Sequence, residues 1–212
     1  MSSVGIVASS VNILGTDVLL EPFNDLTAWT TTGSPSIVAG RTGTALRCSG
    51  ATDVALYALA ANANEYVTVG FAWRTNTAST SARVVCELWS GGGANAQVRL
   101  QYNGTTAQTF TAYRGAGTLN PLGTSSGATV AVNTYAYLEL QVRFHDTLGS
   151  VVMRINGTTV INLTNVDTKT NADTVLDTLR ITTALGSHIN LWDDLYITVG
   201  AGAAFKGDIT IP

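Results

Sequence analysis

The chain has 212 residues, 45% of them hydrophobic and 12% charged, with a formal net charge of −3. Such a composition suits a globular domain, because disorder needs high charge and little to bury, and the length suits one large all-β domain. The sparse Lys and Arg, with Lys169 and Lys206 the only lysines, exclude a polybasic surface for nucleic acid or an anionic membrane, and no stretch approaches the ~18 apolar residues of a membrane-spanning helix.

Residues 1–16 form an uncharged arm in which Val4, Ile6, Val7, Val11, Ile13 and Leu14 supply apolar, mostly β-branched side chains. It lacks the basic start and cleavage site of a signal peptide. Ala51 to Asn64 reads as a strand plus turn, since Val54, Leu56, Tyr57 and Leu59 define no helical stripe. Tyr66 to Arg74 alternates and buries Val67, Val69, Phe71 and Trp73. Arg83 to Trp89 buries Val84, Cys86 and Leu88, which turns Arg83 and Trp89 outward. Gln97 to Tyr102 and Gln108 to Arg114 flank Asn103-Gly104, a hairpin signal, and Gly115 to Ala131 reads as a loop.

Tyr135 to His145 is the clearest strand. Ala136, Leu138, Leu140, Val142 and Phe144 fall on one face, and Tyr135, Tyr137, Glu139, Gln141, Arg143 and His145 on the other. Ser150 to Ile155 and Thr158 to Leu163 are joined by Asn156-Gly157, a pair suited to a turn with positive φ at both positions. Leu176 to Thr182 and His188 to Ile197 close the domain. In the last, Asp193 shares a face with Ile189, Leu191, Leu195 and Ile197, and Asp194 takes the other. Short strands at this spacing predict an all-β, antiparallel two-sheet sandwich over residues 17–197, with a second arm at 198–212. Cys48 and Cys86 are expected as two buried free thiols, or as one inter-sheet disulfide.

Several local motifs, taken in order, point to a family. Phe23-Asn24-Asp25-Leu26 precedes Trp29, and Gly43-Thr44-Ala45-Leu46-Arg47 follows a turn. Tyr137 to Val142 is followed by Val152-Met153-Arg154-Ile155-Asn156-Gly157. Leu191-Trp192-Asp193-Asp194-Leu195-Tyr196-Ile197 leads into a Gly-rich tail ending Gly207-Asp208-Ile209. Together they resemble the concanavalin A-like jelly roll in its laminin-G-like branch, and specifically the laminin-G-like domains of bacteriophage virion proteins. The resemblance implies a jelly roll on the particle, as a tail or capsid decoration protein made in the host cytoplasm. Its partners would be other virion proteins and copies of itself, reached through the terminal arms, with host cell-surface glycan as a further partner.

The side chains argue against an enzyme. Glycosidases need paired carboxylates, and none of Glu21, Glu65, Glu87 and Glu139 has an acidic partner two residues away. His145 and His188 are the only histidines, and neither Gly-x-Ser-x-Gly nor a zinc-type Cys/His cluster occurs. No catalytic or metal-ligating residue is assigned. Asp193, a carboxylate on an apolar face, must be hydrogen-bonded. The backbone N–H groups around Phe23 to Leu26 are its expected donors. The alternative is a structural calcium site joined by Glu21, Asn24 or Asp25. For glycan or partner binding, Trp89, Tyr113, Tyr135, Tyr137 and Arg143 are the candidates, with Arg83 and Arg99 beside them. Aromatic rings with polar neighbours suit sugar rings, and equally suit a protein interface.

Overall fold

The computed structural model describes residues 16–59, 65–77, 82–104, 108–126, 130–182, 188–200 and 203–211, so the expected N-terminal arm lies outside the described residues but for Thr16. Period-two alternation and frequent Gly, Asn and Ser punctuation produce short strands and, among the described residues, no helix. In chain order the strands are β1 (Thr16–Glu21), β2 (Thr30–Thr32), β3 (Ser36–Ala39), β4 (Thr44–Cys48), β5 (Val54–Ala58), β6 (Tyr66–Thr75), β7 (Ala82–Ser90) and β8 (Asn95–Asn103). They continue with β9 (Thr109–Arg114), β10 (Pro121–Thr124), β11 (Ala136–Arg143), β12 (Gly149–Ile155), β13 (Thr158–Val166), β14 (Thr178–Thr182) and β15 (Asn190–Val199).

Two antiparallel sheets stack into a sandwich. The eight-stranded sheet runs β13-β12-β11-β6-β15-β4-β3, with β1 also on β15, and the seven-stranded sheet runs β10-β9-β8-β7-β14-β5-β2. Their inner faces share one core, in which Trp73 meets Tyr102 and Phe110 at ring separations of 5.0 and 5.7 Å. Cys48 and Cys86 are buried and unbridged. Burial pushes the Cys48 thiol up to about 12, so it stays protonated and inert.

β11 follows the expected alternation, with Leu138, Leu140 and Val142 in the core. Asn156 and Gly157 turn β12 into β13 with φ of 48° and 79°. The β8–β9 hairpin also forms, but its connection runs longer than Asn103-Gly104, and residues 105–107 are outside the described set. The expected loop at 115–131 contains β10, an edge strand on β9. Pro121 begins it, at a sheet edge where a missing N–H costs no ladder bond.

Of the register shifts in the two sheets, one in β7 and one in β15 move charged residues off the faces that alternation gives them. In β7 the register shifts between Val84 and Cys86, and both Val85 and Cys86 enter the core. Arg83, expected outside, therefore points inward, where its Nη1 donates to Thr75 Oγ1 at 2.6 Å and to the Thr77 carbonyl at 2.8 Å. In β15 the register against β6 shifts between Asp193 and Tyr196. There β15 also changes its other neighbour, from β4 at residues 190–192 to β1 at 195–199. Trp192 and Leu195 both face the core, so Asp193 and Asp194 leave it together and the expected apolar-face position of Asp193 is corrected.

The C-terminal tail lies on its own sandwich. Residues 203–211 cross the outer face of the eight-stranded sheet, where Gly207 N–H donates to Glu139 Oε1 at 2.8 Å and Lys206 N–H to Tyr196 Oη at 3.0 Å. Tyr196 in turn donates to Glu139 at 2.5 Å, with its ring against Gly70. A Cβ on Gly70 would sit 2.1 Å from that ring. Gly70→Ala should therefore lower the unfolding free energy in urea by about 1–3 kcal/mol, and by less in a Tyr196→Ala background. Equal costs in both backgrounds would remove the ring as the cause.

Candidate functional site

Alternation in the seven-stranded sheet turns a polar row outward. Direct cross-strand pairing aligns Tyr113 on β9 with Arg99 on β8, Arg99 with Glu87 on β7, Glu87 with Arg180 on β14, and Arg180 with Leu56 on β5. Glu87 is fully buried at the centre. Arg99 Nε donates to its Oε1 at 2.6 Å, Trp89 Nε1 to its Oε2 at 3.1 Å, and Arg180 Nη1 also to Oε2. A buried carboxylate persists only when paired and hydrogen-bonded, and here both oxygens are occupied. The Arg180 guanidinium lies 5.4 Å from the Trp89 ring centroid, a cation–π contact that fixes the indole.

Trp89 is the one tryptophan of the chain that is not buried, since Trp29, Trp73 and Trp192 lie in the core. Tyr113 at the far end of the row is also half-exposed. Gln101 and Thr111 continue the polar face beside them, and Gln97 tethers the 170–171 loop through Thr170 and Asn171. The row offers a half-exposed aromatic at each side, guanidinium edges between them and no free general base, because the Glu87 lone pairs are engaged.

The five expected binding residues do not meet. Trp89 and Tyr113 lie on this face, whereas Tyr135, Tyr137 and Arg143 belong to the opposite sheet or its margin. Tyr137, expected exposed, is 1% exposed because the tail covers it, and its hydroxyl donates to the Asp194 carbonyl at 3.1 Å. Tyr135 packs against the Tyr137 and Tyr196 cluster, and burial, with Asp193 nearby, pushes its phenol up to about 12. Arg143 is held by Glu65 at 2.5 Å over the Tyr66 ring. Glu87, Arg99 and Arg180 complete the row. Nothing adjacent in sequence joins Glu87 to Arg99 and Arg180, because its partners lie directly across the strands.

Asp193 and Asp194 serve structure. Asp193 Oδ2 accepts from the Arg41 and Thr42 backbone N–H groups at 2.6 and 3.2 Å. Of the expected donors at 23–26, Phe23 N–H goes instead to Glu21 at 2.7 Å, and Glu21 also accepts from Trp29 Nε1 at 3.1 Å. Asp194 binds the Arg41 guanidinium at 2.7 Å and the Ile211 N–H at 2.7 Å, and Arg41 also reaches Asp208 at 2.6 Å. The two carboxylates thus act on the same turn, not on opposite faces as expected. Glu21, Asn24, Asp25 and Asp193, the residues named for calcium, each accept from separate donors. Among the described residues no group of three His, Cys, Asp or Glu side chains could hold a metal ion.

No protein-family model matches the chain, and no curated protein matches it. Solved structures do. Domain 4 of an extracellular arabinanase from Geobacillus stearothermophilus, in complex with arabinotriose, matches with a TM-score of 0.60 at 13% identity, covering 88% of this chain and 94% of that one. The carbohydrate recognition domain of Emp47p matches at 0.59 and 8% identity, covering 87% and 95%. A carbohydrate esterase from the Shiga toxin-encoding bacteriophage phi24B matches at 0.56 and 17% identity, covering 88% and 100%. At these identities the likeness shows the fold, a concanavalin A-like jelly-roll sandwich, on which recognition domains and enzymes both occur.

The buried acids make two predictions. Glu87→Ala leaves two guanidiniums facing each other and should cost about 3–5 kcal/mol in denaturant unfolding; an unchanged midpoint would show that the cluster is not coupled. Asp53 joins two loops by accepting from the N–H groups of Ser34, Ser49 and Gly50 at 2.9, 2.8 and 2.8 Å. Burial raises its pKa, but the three donors outweigh that and hold it below its ordinary 3.8. Its stabilisation is then present above pH 3.8 and lost as pH falls through the lower folded value. Asp53→Asn should flatten the acid limb of the stability profile and cost about 1–3 kcal/mol at neutral pH. A wild-type acid limb in that variant would refute the assignment.

Proposed function

We propose that the chain is a non-catalytic carbohydrate-recognition module that takes glycan on the outer face of the seven-stranded sheet. The observation that carries this reading is the Tyr113–Arg99–Glu87–Arg180 row with Trp89 beside it. Aromatic plates flank a fixed set of hydrogen-bond donors, the arrangement that suits a sugar ring with its apolar face and polar edge. The fold's occurrence in a recognition domain and in an arabinotriose-bound domain supports the reading. A binding role, not a catalytic one, is supported by the engaged Glu87 carboxylate and by His145, whose Nδ1 accepts from the Thr147 and Leu148 N–H groups.

A second reading adds the setting: a structural protein of a bacteriophage virion, in the tail or as a capsid decoration, that displays this sandwich. The likeness to a phage-encoded chain over its full length favours it. Since the C-terminal tail is spent on its own sheet, residues 1–15 are the segment left for self-assembly or for docking on other virion proteins. The solution mass of the chain with and without residues 1–15 tests this: an oligomer that falls to a folded monomer on trimming agrees, and a monomer in both forms contradicts self-assembly through the arm.

A glycan array tests the main reading. The intact chain should retain a defined set of glycans without changing their length, and the sugar should perturb tryptophan fluorescence. Trp89→Ala should weaken retention about tenfold or more, roughly 1.4 kcal/mol. Retention that survives both Trp89→Ala and Tyr113→Ala, or release of shortened glycan, would contradict it.

A further inference from the structure

The same row carries a charge that the fold leaves uncompensated. Two guanidiniums face one carboxylate, which leaves a formal excess of one positive charge at the centre of the sheet. Arg99 spends its Nε on Glu87, and Arg180 spends its Nη1. Among the described residues neither makes another ion pair, and their side chains keep 15% and 24% of their surface exposed. The remaining guanidinium N–H groups are therefore presented to solvent in orientations fixed by a fully buried anchor.

No other charge faces the row from its own strands. The outward neighbours are Val84, Gln101, Thr111, Thr178 and Thr182. The acids at the end of the sheet, Asp173 and Asp177, are held by neutral donors and pair with neither guanidinium: Asp173 accepts from Ser90 at 2.6 Å and Asn95 at 3.2 Å, and Asp177 accepts from Gly92 N–H at 2.7 Å. Arg114, beside Tyr113 in sequence, is neutralised by Asp167. On a chain of net charge −3 the positive excess is confined to the Arg99–Glu87–Arg180 cluster at the centre of the row.

We infer that this face selects sugars bearing an anionic substituent, a uronic-acid carboxylate or a sulfate ester, an inference that rests on the carbohydrate-recognition reading above. Guanidinium edges pair with such groups through charge-assisted, often bidentate bonds, about twice as strong as neutral ones. A neutral sugar leaves those donors without an anion and gives up the charge-assisted gain. The overall negative charge of the protein repels polyanions at long range, so retention has to come from the row itself.

The test uses the intact chain on glycans arrayed in matched sets, each backbone presented neutral, as its uronate and as its sulfate ester. At low salt at least one anionic series should bind about tenfold or more tighter than its neutral match. That advantage should shrink to about threefold or less in Arg99→Gln and in Arg180→Gln, and with ionic strength raised to about 0.5 M. In each variant Glu87 keeps the other guanidinium, so the fold survives. Arg47→Gln removes a cation from the outer face of the other sheet and should leave the advantage intact. Comparison of the uronate and sulfate series identifies the source of the charge. Neutral glycans bound as tightly as their anionic matches, or an advantage unmoved by the two row variants, would overturn the inference and leave glycan recognition standing. Retention of no glycan in any series would overturn both.

Discussion

Strand parity is the constraint on which the rest of this molecule depends, and register shifts in β7 and β15 set it for the charged residues. In a two-sheet sandwich each residue faces either the core or the outside, and one extra residue reverses the assignment for everything beyond it. The β7 bulge at 84–86 places Arg83 inside while leaving Glu87 and Trp89 outside. The β15 bulge at 193–194 brings both carboxylates out at the point where that strand exchanges β4 for β1. Without the second bulge the Arg41–Thr42 turn would lose its acceptors and the tail its anchor.

The two outer faces have diverged from that common plan. On the eight-stranded sheet the tail closes over Tyr137, Tyr196 and Glu139, held by Asp194 through Arg41 and Ile211. Gly40 and Gly70 are required there by close approach, since Asp193 and the Tyr196 ring occupy the space a Cβ would take. On the seven-stranded sheet no segment among those described crosses the row, so the Arg99 and Arg180 guanidiniums keep part of their surface in solvent around a buried Glu87. A sparse set of charges is thus divided between a network that pins the 41–42 turn and the tail and one that offers donors on the other sheet.

Much of the fold was legible in the sequence because alternation is a direct physical signal. β6, β11, β12, β13 and the Asn156-Gly157 turn stand where the pattern put them. β10 was illegible because Pro121 and Gly123 mimic loop chemistry, and an edge strand needs only one partner. The site was half legible. Trp89 and Tyr113 were named, but strict alternation carried across the β7 bulge misplaced Arg83. Tyr137 looked exposed because nothing in its own strand signals that residues 203–211 return to cover it. The Glu87 partners, 12 and 93 residues away, could be found only once strand order was known.

The central claim is that sugar is held on the open face of the seven-stranded sheet. The most direct measurement is a crystal structure of the intact chain with an oligosaccharide that it retains in solution. The account predicts a sugar ring against Trp89, hydrogen-bonded to Arg99 and Arg180, with Glu87 still bound to both guanidiniums. A sugar seated at the tail-covered sheet or on the peripheral loops, with the row untouched, would contradict it.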